Sequence, residues 1–280
     1  MIPSFIALFS KAGIACAADT DHTVFRLSDK YPVAIAVNPD SPIPWESIIE
    51  KFKREGEISE HEYFPDYADD FNAYLAGVPV EEKWKDLTAK DTNIIIMGFG
   101  SDDIYPSVCD SMVSVNNEGQ LEMDTENFTI GDNMPVRFNL LGDFESVATI
   151  LWGSTRKFRE VYVDGHLELF GKYKARVLEK FAGTKYEQYV KDSLDNYDEE
   201  DFIVSQVNNS TESVYHDLAI GIDSFSVQDM VTAVETIVNA NVNLSHLREG
   251  VKYSIGEVKE IAVLTIPEGL TWIKHSLYAV

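Results

Sequence analysis

The densest group of side chains able to bind a metal ion is acidic and lies in the second half of the chain. Its six members are Asp192, Asp195, Asp198, Glu199, Glu200 and Asp201. Carboxylate oxygens are the ligands that Ca²⁺ prefers, but this segment lacks the alternating ligands, central glycine and terminal glutamate of an EF-hand loop. Because runs of like charge are common on solvated faces, we interpret the cluster as an exposed helix end or loop. We expect no metal and no cofactor.

Motifs for nucleophilic or redox chemistry are scarce. The two cysteines, Cys16 and Cys109, are too few for a disulfide framework and lack zinc-site spacing, so we predict that both are buried thiols. The sequence contains no Gly-x-Ser-x-Gly elbow, Walker loop, dinucleotide fingerprint or His-Glu-x-x-His motif. The enzyme classes that these motifs mark therefore receive no support.

Composition limits the partners of the protein. The 280 residues include 23 Lys and Arg against 47 Asp and Glu, which gives a formal net charge of −24. Nucleic acids and anionic membranes repel a polyanion, so we expect neither as a partner. No stretch reaches the ~18 consecutive apolar residues of a membrane span. The apolar run at residues 2–9 has no positive charge before it and is soon followed by Lys11, which favours a β-strand over a signal peptide. We therefore expect a cytoplasmic location.

Residue patterns predict strands first and helices later. Strands are predicted at residues 2–10, 13–18, 24–27, 33–37, 93–99, 105–115 and 120–123, and the weak pattern at 127–139 allows one more. Pro44 begins one predicted helix. A second begins either after Ser59, where Glu62 completes a capping box, or near Phe64, because Pro65 favours a later start.

From residue 143 to about 250 the pattern is helical, and Ser226 with Asp229 caps the last helix. Strands at 261–266 and 270–277 follow. Runs of strands, rather than alternation with helices, predict an α+β fold. Because the helices of one half need the sheets of the other, we predict a single domain over residues 1–280 with a helical insertion at about 153–225.

Several motifs occur in an order that resembles the proteasome-like branch of the N-terminal-nucleophile (Ntn) hydrolases, especially bacterial relatives of proteasome subunits. The hairpin 10–20, Ser-Lys-Ala-Gly-Ile-Ala-Cys-Ala-Ala-Asp-Thr, is similar to that family's turn, apolar strand and Ala-Ala-Asp-Ser/Thr segment. Residues 25–28, 44–49, 98–107, 229–235 and 261–274 resemble later landmarks of the family. The resemblance covers nearly the whole chain and implies a four-layer αββα sandwich of two stacked antiparallel sheets flanked by helices.

The same resemblance implies a degenerate catalytic site. In the family, the first residue of the mature chain is a Thr, Ser or Cys whose own α-amino group accepts the proton, assisted by a lysine and an aspartate. Counting back from Asp19 along the hairpin assigns the nucleophile position to Ile2, which has no attacking atom. The lysine position falls on Thr23, preceded by His22, a conceivable substitute base. Only Asp19 matches, and we interpret it as a structural aspartate that binds backbone amides.

Ser4 is the alternative nucleophile, provided that processing removes the residues before it. A shift of two residues along a strand displaces the attacking atom by roughly 6.5–7 Å. We therefore expect Ser4 to lie beyond hydrogen-bond reach of Asp19.

Three functions remain open. We favour a non-catalytic proteasome-like subunit, a pseudoenzyme that forms a homo-oligomer, because the resemblance implies ring assembly and a closing heterologous contact produces rings. The alternative is an active Ntn-type peptidase or amidohydrolase that uses Ser4. The third is an unrelated α+β binding protein.

Overall fold

The computed structural model of the protein describes residues 4–55, 61–84, 92–142, 151, 156–196, 198–249 and 257–275. The chain divides into two compact units. The first, here called the sheet unit, comprises Met1–Phe144 and Ala219–Val280, and the second, the helical unit, comprises Glu145–Leu218. Within the described residues, ten strands form two antiparallel sheets of five strands each, so the fold is of the mixed α+β kind.

The first sheet brings together the two ends of the described chain. Its strands are β1 (Ser4–Ser10), β2 (Gly13–Ala18), β8 (Val136–Gly142), β9 (Glu260–Thr265) and β10 (Gly269–Lys274). They are ordered β10-β9-β2-β1-β8. Every residue of β1 and β2 is buried, because both faces of these two strands are covered.

The second sheet is built in simple chain order. Its strands are β3 (Val24–Arg26), β4 (Val33–Val37), β5 (Asn93–Gly98), β6 (Ser107–Val115) and β7 (Leu121–Thr129). Each pairs antiparallel with the next. The long edge strand β7 carries Glu122, Asp124 and Glu126, and charged residues of this kind discourage pairing with another chain.

The described helices are six, with one short 3₁₀ helix at Glu82–Trp84. They are α1 (Trp45–Glu55), α2 (Pro65–Leu75), α3 (Arg156–Phe181), α4 (Glu187–Asp195), α5 (Glu199–Ile222) and α6 (Val227–Glu249). None of them combines the length and the apolar character that crossing a membrane requires. Helix α6 packs on β1, β2 and β9 through a buried stripe that includes Met230, Val234 and Val238.

Alternate residues of the strands contribute to two hydrophobic clusters. One cluster contains residues of both sheets, among them Phe5, Cys16 and Met97. The other joins the opposite face of the second sheet, including Ile35 and Ile96, to α1 and α2. The period of two along a strand explains this division, since neighbouring side chains point to opposite faces.

Gly13 turns the first hairpin where a side chain would not fit. Its φ is +142°, and a Cβ atom would lie 2.9 Å from the carbonyl oxygen of Leu264 on the neighbouring strand β9. Glycine is the residue that tolerates both conditions. The tight turn also fixes the register of β1 against β2, which pairs Ser10 with Gly13 and Phe5 with Ala18.

Most predicted elements are confirmed, although several of their boundaries differ. The later of the two predicted starts of α2 is correct: the helix begins at Pro65 without a side-chain cap, and Ser59 lies outside the described residues. Strand β7 continues to Thr129 instead of ending at residue 123, because hydroxyl pairs such as Ser111 with Thr125 (2.9 Å) extend its contact with β6. Strand β10 ends at Lys274, and residues 276–280 lie outside the described part.

Candidate functional site

Ser4 and Asp19 face each other where β1 begins and β2 has just ended. The Ser4 amide donates to Asp19 Oδ1 at 2.8 Å, and the Asp19 amide donates to the Ser4 carbonyl oxygen at 3.1 Å. The expectation that Ser4 lies beyond hydrogen-bond reach of Asp19 was therefore wrong. The reason is the hairpin register, which sets Ser4 directly opposite Asp19. Ile2, the predicted nucleophile position, lies outside the described residues.

The hydroxyl of Ser4 is buried beneath a helix. Asn241, on α6, donates from its side-chain Nδ2 to Ser4 Oγ at 2.9 Å, and both residues are 3% exposed. The Ser4 hydroxyl also forms a hydrogen bond with the Asp19 carboxylate. The three side chains thus connect β1, the end of β2 and α6 through buried polar contacts, and Asn241 carries a role that the sequence analysis did not identify.

The surroundings of Asp19 favour its neutral form. Burial raises the pKa of Asp19, and the negative charge of Asp40 raises it further, while hydrogen bonds from Ser4 and from its own backbone act in the opposite direction. No cation of the described chain is among the groups that shift this pKa. The described contacts of the Asp19 carboxylate with other residues are with the backbone amide and the hydroxyl of Ser4, and the interpretation of Asp19 as a structural aspartate stays a prediction.

Thr23 occupies the position that the resemblance assigns to lysine, and its hydroxyl stays within its own loop. Thr23 Oγ1 lies 2.9 Å from Thr20 Oγ1 and donates to the Thr20 carbonyl oxygen at 3.2 Å. Among the described residues, none of the hydrogen bonds of Thr23 reaches Ser4 or Asp19. Of the candidate residues, the structure brings Ser4 and Asp19 together but directs Thr23 elsewhere.

Glu260 fixes the loop that contains Thr23. Its buried carboxylate accepts the backbone amides of His22 (2.9 Å), Thr23 (3.1 Å) and Val24 (3.1 Å). The Nδ1 atom of His275 lies 3.2 Å from the same carboxylate. Burial raises the pKa of Glu260, although the three amides and the charge of His275 oppose this shift. Sequence reasoning missed Glu260 because the three amides that it accepts are more than 230 positions away; an acidic residue at the start of an apolar strand was the only signal.

His22 is held by this loop in a conformation unusual for a residue with a side chain. Its φ is +61°, in the left-handed region. The hydrogen bond that its backbone amide donates to Glu260 supports that geometry. The imidazole Nδ1 lies 3.5 Å from Glu46 Oε1 at the start of α1. The side chain lines a pocket of about 260 Å³ together with Phe25, Val37 and Trp45. The His22 backbone amide is therefore directed to Glu260, whereas its imidazole contacts Glu46 at the start of α1.

The two cysteines lie in the hydrophobic core. Cys16 and Cys109 are buried free thiols, as predicted, and burial raises the pKa of each to about 12. In the helical unit, Lys174 Nζ lies 3.4 Å from both Asp195 and Glu199 and donates to the Leu194 carbonyl oxygen at 2.9 Å. No group of three or more potential metal ligands forms within the described ranges.

Comparisons with known proteins find similarity to solved structures. No protein-family model matches the sequence, and no curated protein matches it either. A solved chain described as the selenomethionine-labelled Anbu (Gly-1) mutant from Hyphomicrobium sp. strain MC1 is similar over 80% of this chain and 100% of that chain. The two share 11% sequence identity, with a TM-score of 0.30.

Proposed function

We propose that the protein is a non-catalytic, proteasome-subunit-like building block with a degenerate Ntn site, and that its sheet unit is a four-layer αββα sandwich. The cluster shared by both sheets, the packing of α1 and α2 against the second sheet, and the packing of α6 against the first support this layering. The proposal that copies of the chain assemble rests on the sequence resemblance.

The environment of the Ser4 hydroxyl is the observation that supports a non-catalytic protein. An attacking hydroxyl needs a base in reach and an open path to a carbonyl carbon. Ser4 Oγ instead accepts a hydrogen bond from Asn241 and is buried under α6. Its other described partner, Asp19, has a raised pKa and is therefore a weaker partner for a cationic amine than an ordinary carboxylate.

A second candidate function, an active Ntn-type hydrolase with Ser4 as nucleophile, is favoured by one contact. The Ser4 nitrogen lies 2.8 Å from Asp19 Oδ1. If cleavage made Ser4 the first residue, that nitrogen would become an α-amino group, with an ordinary pKa of about 7.7–8.0, beside a carboxylate. This is the arrangement that an amine-assisted serine requires.

Intact-mass measurement with a covalent probe separates the two candidates. A peptide β-lactone would be opened by the Ser4 hydroxyl, with the ester bond forming as the ring C–O bond breaks, so the protein would gain the full mass of the probe. We expect no adduct. A chain that begins at Ser4 and gains the probe mass, with loss of that gain in Ser4→Ala, would establish the hydrolase instead.

The assembly component is tested by sedimentation velocity at micromolar concentration. We expect an oligomer at moderate ionic strength that dissociates as salt is lowered, because the net charge of −24 per chain opposes association when screening is weak. A monomer at all salt concentrations would contradict the building-block proposal without affecting the result of the probe experiment.

A further inference from the structure

A groove of about 410 Å³ lies at the end of the sheet unit remote from Ser4. It is bordered by the turn between β1 and β2 and by the turn between β9 and β10. Because β1 has seven residues, this end is roughly 20 Å from Ser4 along the strand. The groove is therefore separate from the degenerate site.

The groove has a buried apolar floor and exposed apolar walls. Phe99 and Val263 are buried at its base, whereas Ile104 is 75% exposed and Ile266 is 53% exposed at its sides. When an apolar group displaces water from between two exposed isoleucine side chains, the apolar surface that becomes buried stabilises the complex. The volume lies within the range of known ligand pockets. This combination is typical of a site that receives an apolar anchor.

The wall that carries Ile104 is fixed by hydrogen bonds. Asp103 Oδ2 accepts the amides of Gly100 (2.7 Å) and Phe64 (3.2 Å), and the Ser101 amide donates to the His61 carbonyl oxygen at 2.9 Å. A Cβ atom on Gly100 would lie 2.3 Å from the Glu62 carbonyl oxygen, so the two segments are in close contact. A preformed wall reduces the entropy that this segment of the protein itself loses when a partner binds.

The charges around the groove are mainly negative. Lys11 is the basic residue in the lining, and its ammonium group lies 3.0 Å from Asp132, so its charge is already compensated. Asp223 also acts on Lys11 electrostatically, and Glu268 lines the groove itself. Three carboxylates against one ammonium group leave a net negative rim. A second copy of the chain would present the same negative rim, whereas a basic partner would be attracted.

We propose that this groove binds a segment of a partner protein in which an apolar side chain is flanked by Lys or Arg residues. The apolar side chain occupies the space between Ile104 and Ile266, above the floor formed by Phe99 and Val263. The flanking basic residues lie against Glu268 and Asp132 on the rim. This interaction does not depend on whether the protein is catalytic.

A displayed library of random 12-residue peptides, selected on the intact protein, tests the proposal. We expect the selected peptides to share an apolar residue with basic residues on one or both sides. The binding of a selected peptide should weaken at least tenfold in Ile104→Ser/Ile266→Ser, and it should weaken further as salt screens the rim. Both side chains face water, so their replacement leaves the core intact.

Ile273→Ser is the matched control, because Ile273 is 58% exposed on the same hairpin but near its opposite end. This variant should bind the selected peptide as the wild type does. Three results would overturn the proposal: a library without enrichment, a consensus that lacks basic residues, or equal binding by the double isoleucine variant. Dissociation of a native oligomer by the double variant would assign the groove to contacts between copies and would overturn it as well.

Discussion

Asn241 Nδ2 lies 2.9 Å from Ser4 Oγ, and this bond joins the middle of α6 to the first described residue of β1. Both groups are buried, so water competes little for this hydrogen bond. The contact therefore contributes to stability as well as occupying the hydroxyl that catalysis would need.

A double-mutant cycle measures that contribution. We expect Asn241→Ala and Ser4→Ala each to lower the free energy of unfolding by about 0.5–1.5 kcal/mol, because each removes a buried hydrogen bond. The double variant should lose less than the sum of the two, with a coupling energy of about 0.5–1.5 kcal/mol. Urea unfolding followed by circular dichroism provides the four values. Strict additivity would show that the bond does not contribute.

The buried carboxylate of Glu260 predicts a characteristic pH dependence. Its pKa is raised from the ordinary value of 4.5, mainly by burial, so the folded protein binds this proton more tightly than the unfolded chain does. The corresponding stability is fully present below pH 4.5 and is lost as the pH rises through the folded pKa. Relative to Glu260→Gln, the wild type should therefore gain free energy of unfolding as the pH is lowered from 7 towards 5.

Glu257→Gln is the control for this experiment, because the contribution of Glu257 to stability should depend on pH in the opposite direction. The hydrogen bond from Lys274 lowers the pKa of Glu257, so its contribution is present above pH 4.5 and is lost as the pH falls through the folded pKa. The difference between wild type and Glu257→Gln should therefore shrink at low pH. If the stability difference from wild type changed with pH in the same way for both variants, the assigned directions of the two pKa shifts would be wrong.

Two buried tryptophans differ in a way that mutation can detect. Trp84 Nε1 donates to the Pro42 carbonyl oxygen at 3.2 Å, whereas Trp45 Nε1 is buried with no hydrogen-bond partner in the described part of the chain. Both tryptophans belong to the same hydrophobic cluster, so replacement by phenylalanine removes a similar apolar area at each. Only Trp84→Phe also removes a hydrogen bond, the one that the indole donates to the Pro42 carbonyl oxygen.

We therefore expect Trp84→Phe to destabilise the protein by about 1 kcal/mol more than Trp45→Phe. Thermal unfolding of the two variants beside the wild type gives this difference. A larger loss for Trp45→Phe would indicate that its indole N–H forms a hydrogen bond in solution.

Local patterns in the sequence predicted local structure well. The hairpin around Gly13 and the capping box of α6 depend on neighbouring residues, and Ser226 and Asp229 form the predicted reciprocal bonds at 3.0 Å and 3.2 Å. The site was harder to predict, since it depends on long-range contacts. Placing Ser4 opposite Asp19 required the strand register, and the roles of Asn241 and Glu260 required partners from distant parts of the chain. The single-domain organisation stays a prediction.

The position of β9 between β2 and β10 has a consequence for biosynthesis. The hairpin of β1 and β2 is translated before the other described strands, but β9, which covers the second edge of β2, follows all of them except β10. During most of translation β2 therefore exposes unpaired amides and carbonyls, a template for intermolecular association. We therefore expect truncation before Glu260, which removes the partner of this edge, to favour aggregation of the chain.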